Sequence, residues 1–304
     1  MINLHRALNN DRLLRALTGL NRKAVDDLLP AFNDAWQAQV QAQGRQRAPG
    51  GGQAGKARLS SLSEKLFYIL FYFKCYPTFD VAGFLFDFDR SQAHRWMHRL
   101  QPILEAALGQ KMALPERKLE SIEQFLARYP EVKEVIIDGT ERPIARPQDQ
   151  ERQKEHYSGK KRRHTRKHLA AVDEGKRVLV LTQAREGKVH DKRLLDEEAM
   201  VQGIPDEIPI AVDLGFLGLH KEYDNIEIPH KKPRGGNLSE EQKQENHEKS
   251  SRRVRCENAF AGVKRYRIVS DIYRNRVTDF DDRSMLTATG LWNFYLMTAE
   301  LKWK

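Results

Sequence analysis

Two short stretches of the chain end alike: Val135-Ile136-Ile137-Asp138-Gly139 and Pro209-Ile210-Ala211-Val212-Asp213-Leu214-Gly215. Unbroken apolar runs of this length, rich in β-branched residues, read as buried strands, and the acid followed by glycine reads as the point where each strand stops. Open α/β sheets place their ligand crevices at the carboxyl ends of strands. Asp138 and Asp213 are therefore expected at one sheet edge, although turn aspartates that simply close a strand would look the same.

The surrounding pattern agrees with an α/β domain. Residues 169–172 and 178–182 read as strands around the turn Asp173-Glu174-Gly175-Lys176, and a charged helix is expected over 116–128. Helices are expected at 190–201, from Ser239 to about Tyr266, and at 282–302. Strands first and interleaved helices after are the pattern of a layered α/β fold.

The long helix after Ser239 carries a third acid. Ser239 and Gln242 have capping-box spacing, and at about 100° per residue Arg253, Glu257 and Lys264 share one stripe. A solvated charged face would give the same spacing. Ala259, Ala261 and Gly262 are small enough to let this helix approach a sheet. Hard divalent cations such as Mg²⁺ take oxygen ligands and keep substrate phosphates in their shell, so converging carboxylates without a His or Cys cage fit phosphate chemistry. Two ions about 3.5 to 4 Å apart can serve both the attacking and the leaving oxygen.

Upstream, residues 1–43 read as a helical module, with a stop at Gly19 and a restart capped by Asn21. Residues 44–58 hold five glycines among Arg45, Arg47, Lys56 and Arg58 and read as a basic flexible linker. From residue 59 to 130 the texture is helical again, with segments at 64–76, 78–86 and 90–108. Thr78 and Asp89 stand where caps belong, and Asp87-Phe88-Asp89 is a turn of the length found in helix-turn-helix units. On the third segment Ala93, Trp96, Met97 and Leu100 form the inward stripe. Arg90, Gln92, His94 and Arg95 are then left on other faces, where such side chains read base edges or phosphates. An ordinary three-helix packing unit is the plainer alternative.

Composition narrows the classes. The 304 residues carry 52 Lys and Arg against 42 Asp and Glu, a formal charge of +10 with pI near 9.5. That excess suits polyanions such as nucleic acid. Cys75 and Cys256 are too far apart in sequence for a Cys-x-x-Cys zinc pair, and two cysteines make no disulfide framework, which favours a reducing, intracellular setting. The first twenty residues lack the apolar core of a signal peptide. The longest apolar run, residues 66–73, is far short of the roughly 20 needed to span a bilayer, so no membrane partner is expected.

Residues 151–168 hold eight cations: Arg152, Lys154, Lys160, Lys161, Arg162, Arg163, Arg166 and Lys167, with Tyr157 among them. Lying between the first acid-bearing strand and the next, this run is expected to track phosphates rather than only solvate a loop. Asp191 reads as a first-turn helix acid, and the His164/His168 spacing would suit a helical zinc pair, but the strand-like residues 169–172 that follow and the lack of a nearby carboxylate make it a poor one.

Asp138, Asp213 and Glu257, with Arg253-x3-Glu257-x6-Lys264, resemble the DDE triad and downstream signature of bacterial insertion-sequence transposases of the group related to Harbinger transposases. Asp138-Gly139-Thr140-Glu141-Arg142-Pro143, Tyr157-Ser158-Gly159-Lys160-Lys161, His190-Asp191 and Asp213-Leu214-Gly215-Phe216 resemble that group's core motifs, and residues 79–100 its helix-turn-helix. The signature's tyrosine three positions before the arginine is Ser250 here. The resemblance implies a ribonuclease H-like α/β catalytic domain at 131–304, a mixed sheet flanked by helices, preceded by an all-α region with the helix-turn-helix. It implies Asp138, Asp213 and Glu257 as catalytic metal ligands for two Mg²⁺ ions, with Mn²⁺ able to substitute. It also implies contacts to double-stranded DNA through Arg253, Lys264, Lys160, Lys161, Arg162, Arg163, Arg90, Gln92, His94 and Arg95. The implied activity is cleavage at element ends and transfer of the 3′-hydroxyls into target DNA, by a homodimer or larger synaptic complex in the bacterial cytoplasm, at the nucleoid.

Two rivals remain. Asp138-Gly139-Thr140 and Asp213-Leu214-Gly215 also resemble the phosphate loops of actin-like sugar kinases, but those loops need more glycine. A catalytically inert, domesticated DNA-binding regulator would keep the helix-turn-helix without needing three metal ligands.

Overall fold

Side-chain caps set the helix boundaries of the N-terminal half. In the computed structural model, which describes residues 2–44 and 59–300, α1 (Leu4–Leu8), α2 (Asp11–Thr18) and α3 (Arg22–Gly44) are followed by α4 (Leu62–Cys75), α5 (Phe79–Phe86) and α6 (Arg90–Gln110). Residues 45–58, the bulk of the expected linker, lie outside the described residues. Asn3, Asn10, Ser61, Thr78 and Asp89 each accept a hydrogen bond from the backbone N–H three residues on, satisfying donors that a helix start leaves orphaned. Helix α4 is buried from Lys65 to Phe73, as a helix apolar on all sides must be, and forms the centre of this all-helical unit.

The α5–α6 junction has the expected form. Asp87 closes α5 in the left-handed region (φ 58°) and Asp89 caps α6. A Cβ on Gly83 would stand 2.5 Å from the Phe88 carbonyl oxygen, so only glycine lets α5 approach its own turn this closely. Ala93, Met97 and Leu100 are buried, as expected, while Trp96 is half-buried and stacks on Trp36 with ring centroids 6.3 Å apart.

The second unit runs from Pro115 to Gly262 and includes Ile272–Asp282. It contains α7 (Ile122–Arg128), β1 (Val135–Pro143), α8 (Gln150–His156), β2 (Tyr157–Ser158), β3 (Arg163–Asp173), β4 (Val178–Leu181), β5 (Arg185–Glu186), α9 (Asp191–Glu198), β6 (Ile210–Ala211), β7 (Ile226–Glu227) and most of α10 (Glu240–Lys264). Two more helices follow, α11 (Arg267–Ser270) and α12 (Phe280–Glu300). Val263–Asp271 and the chain from Arg283 onward group with the helical unit.

The sheet order is β2-β3-β1-β6-β7, with β4 and β5 also paired to β3. β1 is antiparallel to β3 and parallel to β6, and β6 is parallel to β7, so the sheet is mixed and flanked by helices, consistent with a ribonuclease H-like domain. Val135 and Ile137 of β1, Leu169 and Ala171 of β3, and Leu194 and Leu195 of α9 are buried in one cluster on one face. Among the described residues no helix is long and apolar enough to cross a membrane.

Two expectations need correction. β1 does not stop at Asp138 but runs to Pro143, because Gly139–Pro143 pair with residues 165–169 of the eleven-residue β3. The helix expected over 116–128 begins only at Ile122. Glu116 instead pairs in the manner of a strand with Val180, exchanging backbone hydrogen bonds with Leu179 and Leu181.

Candidate active site

Register places the two aspartates together. The parallel pairing of β1 with β6 ends at Ile136 opposite Ala211, and Asp138 and Asp213 each lie two residues beyond that pair. With side chains alternating along a strand, both point to one face just past the end of the parallel pairing. Asp138 is thus inside its strand on the β3 side and beyond the pairing on the β6 side, which opens the crevice.

Each carboxylate is held from below by a backbone amide: the Gly139 N–H donates to Asp138 Oδ1 and the Gly215 N–H to Asp213 Oδ1, both at 2.7 Å. Arg253 Nη2 lies 3.8 Å from Asp138 Oδ2 and 3.9 Å from Asp213 Oδ2. The Asp138, Asp213 and Arg253 side chains are 16%, 22% and 21% exposed. Burial pushes the Asp138 carboxyl above its ordinary range and the Asp213 charge adds to this, while the Gly139 amide, Arg253 and Lys160 oppose it. The neighbouring thiol of Cys256 is buried and pushed well up by that burial, with the charges of Asp138 and Glu257 adding and Arg253 opposing.

Ion pairs deliver Arg253. Glu134, immediately before β1, receives Arg252 at 3.2 Å and Arg255 at 3.0 Å, and Arg252 also pairs with Glu227 of β7 at 2.5 Å. Lys249 Nζ donates to the Ile228 carbonyl at 3.0 Å. These contacts fix the rotation of α10 so that Arg253 faces the two aspartates. The capping box of Ser239 and Gln242 forms as expected.

Glu257 is on the same helix one turn after Arg253, but it is exposed, and Lys264 is the last residue of α10. Among the described residues, no three His, Cys, Asp or Glu side chains gather closely enough to hold a metal ion. The structure brings together Asp138, Asp213 and Arg253 and leaves Glu257 outside that group. The donors that do converge are carboxylate oxygens around a cation, a donor set that fits a hard divalent ion.

Lys160, Lys161, Arg162 and Arg163 are exposed around the β2–β3 turn, and Arg90, His94 and Arg95 are exposed on α6, with Gln92 half-buried. Arg166 and Lys167, expected to track phosphates with the rest of the basic run, are instead held in ion pairs within the sheet unit. Arg166 bonds Asp281 at 2.8 Å, and Lys167, 8% exposed, meets Asp191 at 2.8 Å and the Val189 carbonyl at 2.7 Å. Asp191 is the first residue of α9, as expected, and packs under Gly139, where a Cβ would stand 3.1 Å from its Oδ1.

Sequence reasoning also missed a buried polar group at the far end of β1. Asp282 accepts two bonds from Arg117 Nη2, at 2.6 and 2.7 Å, and one from the Ala184 N–H at 2.8 Å, and it meets His168 Nε2 at 3.2 Å. The fully buried Arg142 donates to the Asp281 carbonyl and lies 4.4 Å from the Tyr273 ring centroid. Only the tandem acids Asp281-Asp282 gave any signal of it.

Residues 137–293, more than half of the chain, match the family model described as DDE superfamily endonuclease, and residues 57–110 match that of the helix-turn-helix of DDE superfamily endonuclease. A probable transposase for insertion sequence element IS702 from Microchaete diplosiphon is 28% identical over 235 residues, covering 77% of this chain and 81% of that protein. No solved structure matches the chain.

Proposed function

Because the chain belongs to the DDE superfamily of endonucleases, we propose that it is an insertion-sequence transposase that cuts DNA at element ends and joins the freed 3′-hydroxyls to target DNA. The observation that carries this reading is the convergence of Asp138 and Asp213 on one guanidinium nitrogen, at the sheet position where a phosphate-cleaving site belongs. Asp138 and Asp213 would hold Mg²⁺, or Mn²⁺ in its place, with Glu257 as a third ligand supplied by α10. When bound, two such ions supply charge that activates the attacking oxygen and stabilises the leaving one.

The chain's own residues do the positioning. Arg253 holds a phosphate beside the aspartates, Lys264 a neighbouring one, and Lys160, Lys161, Arg162 and Arg163 follow the backbone from the β2–β3 turn. Arg90, Gln92, His94 and Arg95 on α6 read the element end in a major groove. An element has two ends, so a homodimer or larger synaptic assembly at the nucleoid fits the reaction. The exposure of Glu257 favours one alternative, a DNA-binding regulator with an inert core.

The test is incubation of the full chain with duplex DNA carrying the flanks of its own coding sequence and Mg²⁺. Cleavage at the element ends supports the transposase. Sequence-preferring binding without any cleavage supports the regulator.

A further inference from the structure

On the face of the sheet opposite Asp138, a lysine is buried between two acids. With side chains alternating along a strand, Gly139 and Glu141 of β1 turn to that face, and Leu169 and Lys167 of β3 stand beside them in register. The Lys167 and Glu141 side chains are 8% and 6% exposed. Lys167 Nζ stands 2.8 Å from Asp191 Oδ1 and 3.9 Å from Glu141 Oε1, and it donates to the Val189 carbonyl at 2.7 Å. Glu141 Oε2 in turn accepts from the Thr165 hydroxyl at 2.7 Å.

Stability alone does not explain this group. Taking ions out of water carries a large penalty, and apolar side chains of similar volume often serve a fold as well or better. The same face already holds an apolar cluster, in which Val135 and Ile137 of β1 join Leu194 and Leu195 of α9. What an ion pair adds to such a cluster is direction. Lys167 ties the first residue of α9, and the carbonyl two residues before it, to one point on β3.

The tied segment lies directly behind Asp138. Asp191 rests on Gly139, where a Cβ would stand 3.1 Å from Asp191 Oδ1 and 3.3 Å from its Cγ. Glycine weakens a strand interior and marks a place where another group comes close. Gly139 has no left-handed backbone that would call for glycine, so the approach of Asp191 is what its missing side chain admits. The N–H of this same residue donates to Asp138 Oδ1 at 2.7 Å.

We propose that Lys167 and Asp191 are positioning residues for the Asp138 carboxylate: Lys167 pins Asp191 against Gly139, and the glycine so held keeps its amide aimed at Asp138. The purpose of the clamp rests on reading Asp138 as a metal ligand, whereas the clamp itself stands on these distances alone.

The experiment uses the full chain and reads it first without metal. Hydrogen exchange of the Gly139 amide, followed by NMR, is expected to run about tenfold faster in Lys167→Met and in Asp191→Ala than in wild type, with the other β1 amides unchanged. Faster exchange all along β1 would make the group merely structural, and unchanged exchange at Gly139 would remove the clamp; either overturns the proposal. The second readout is Mn²⁺ affinity, with free Mn²⁺ followed by electron paramagnetic resonance, and Lys167→Met should bind about tenfold more weakly than wild type. Charge alone predicts the opposite, because removing a cation near two acids should tighten metal binding. Equal or tighter binding by Lys167→Met therefore overturns the proposal. Lys167→Met/Asp191→Asn removes one charge of each sign and carries the same two expectations if Lys167→Met folds poorly. A wild type that neither takes up Mn²⁺ nor cuts DNA ends the reading of Asp138 as a ligand, and Gly139 exchange still decides the clamp. A wild type that binds Mn²⁺ and cuts, with Gly139 exchange unmoved in the variants, does the reverse.

Discussion

Asp138 and Asp213 share a single counter-charge: the Arg253 Nη2 stands within 4 Å of both carboxylates, at 3.8 and 3.9 Å. Two partly buried acids set two residues past the same strand pair repel one another, and α10 is tied down by Glu134 and Glu227 so that a cation sits between them.

Removing that cation should expose the pair's affinity for metal. Arg253→Gln is expected to lower the melting temperature in chelator, by the equivalent of about 1–3 kcal/mol. Added Mg²⁺ or Mn²⁺ should then restore more stability to Arg253→Gln than it adds to wild type, because ligand binding to the folded state stabilises by mass action. Differential scanning calorimetry across a metal titration reads this. Equal shifts in both proteins would show that the aspartates do not hold the ion.

On α6, alanine at Arg90, Gln92 or Arg95 should weaken binding to the element end by about 1–3 kcal/mol wherever the side chain contacts a base. Lys160→Ala and Arg163→Ala should weaken binding to all duplexes alike. Competition binding with end and random DNA separates the two. End preference surviving the triple α6 variant would place recognition elsewhere, most simply in residues 1–58.

Acid and neutral stability should be set by different aspartates. Burial pushes Asp282 up, but its bonds from His168 and Arg117 outweigh that and hold it at about 2, below the ordinary 3.8. Its contribution, on the order of 2 kcal/mol, is present above pH 4 or so and lost as pH falls toward 2. Burial, aided by Glu174, raises Asp173 to about 6, so its contribution is full below the ordinary value and lost as pH rises through 6. Asp173→Asn should therefore gain stability relative to wild type at pH 8 and none at pH 3. Asp282→Asn should lose most at neutral pH. Urea melts across this range check both signs.

What was legible in the sequence was local. Thr78, Asp89 and the three-residue turn between α5 and α6 signal through contacts three residues apart. Asp138 and Asp213 signalled through an apolar run closed by acid and glycine. What was not legible depended on partners far along the chain. The extension of β1 through Gly139–Pro143 is imposed by β3, and polar residues such as Glu141 and Arg142 give no strand pattern of their own. Arg166 and Lys167 looked like members of a basic run because counting charges does not reveal which side of a strand they occupy, and Asp281, the partner of Arg166, lies more than a hundred residues away. The position of Glu257 depends on the rotation of α10, which Glu134 sets through Arg252 and Arg255.

In the proposed reaction Asp138 and Asp213 together form the cutting site. The direct measurement is Mg²⁺-dependent cleavage of duplex DNA carrying the element ends by wild type, Asp138→Ala, Asp213→Ala and Glu257→Ala, with folding and duplex binding measured on the same preparations. Wild type is expected to cut at the ends. Each variant should lose cleavage by several orders of magnitude while still folding and binding, since each removes a ligand on which the chemistry depends. Cleavage at the wild-type rate by Asp138→Ala or Asp213→Ala would contradict it.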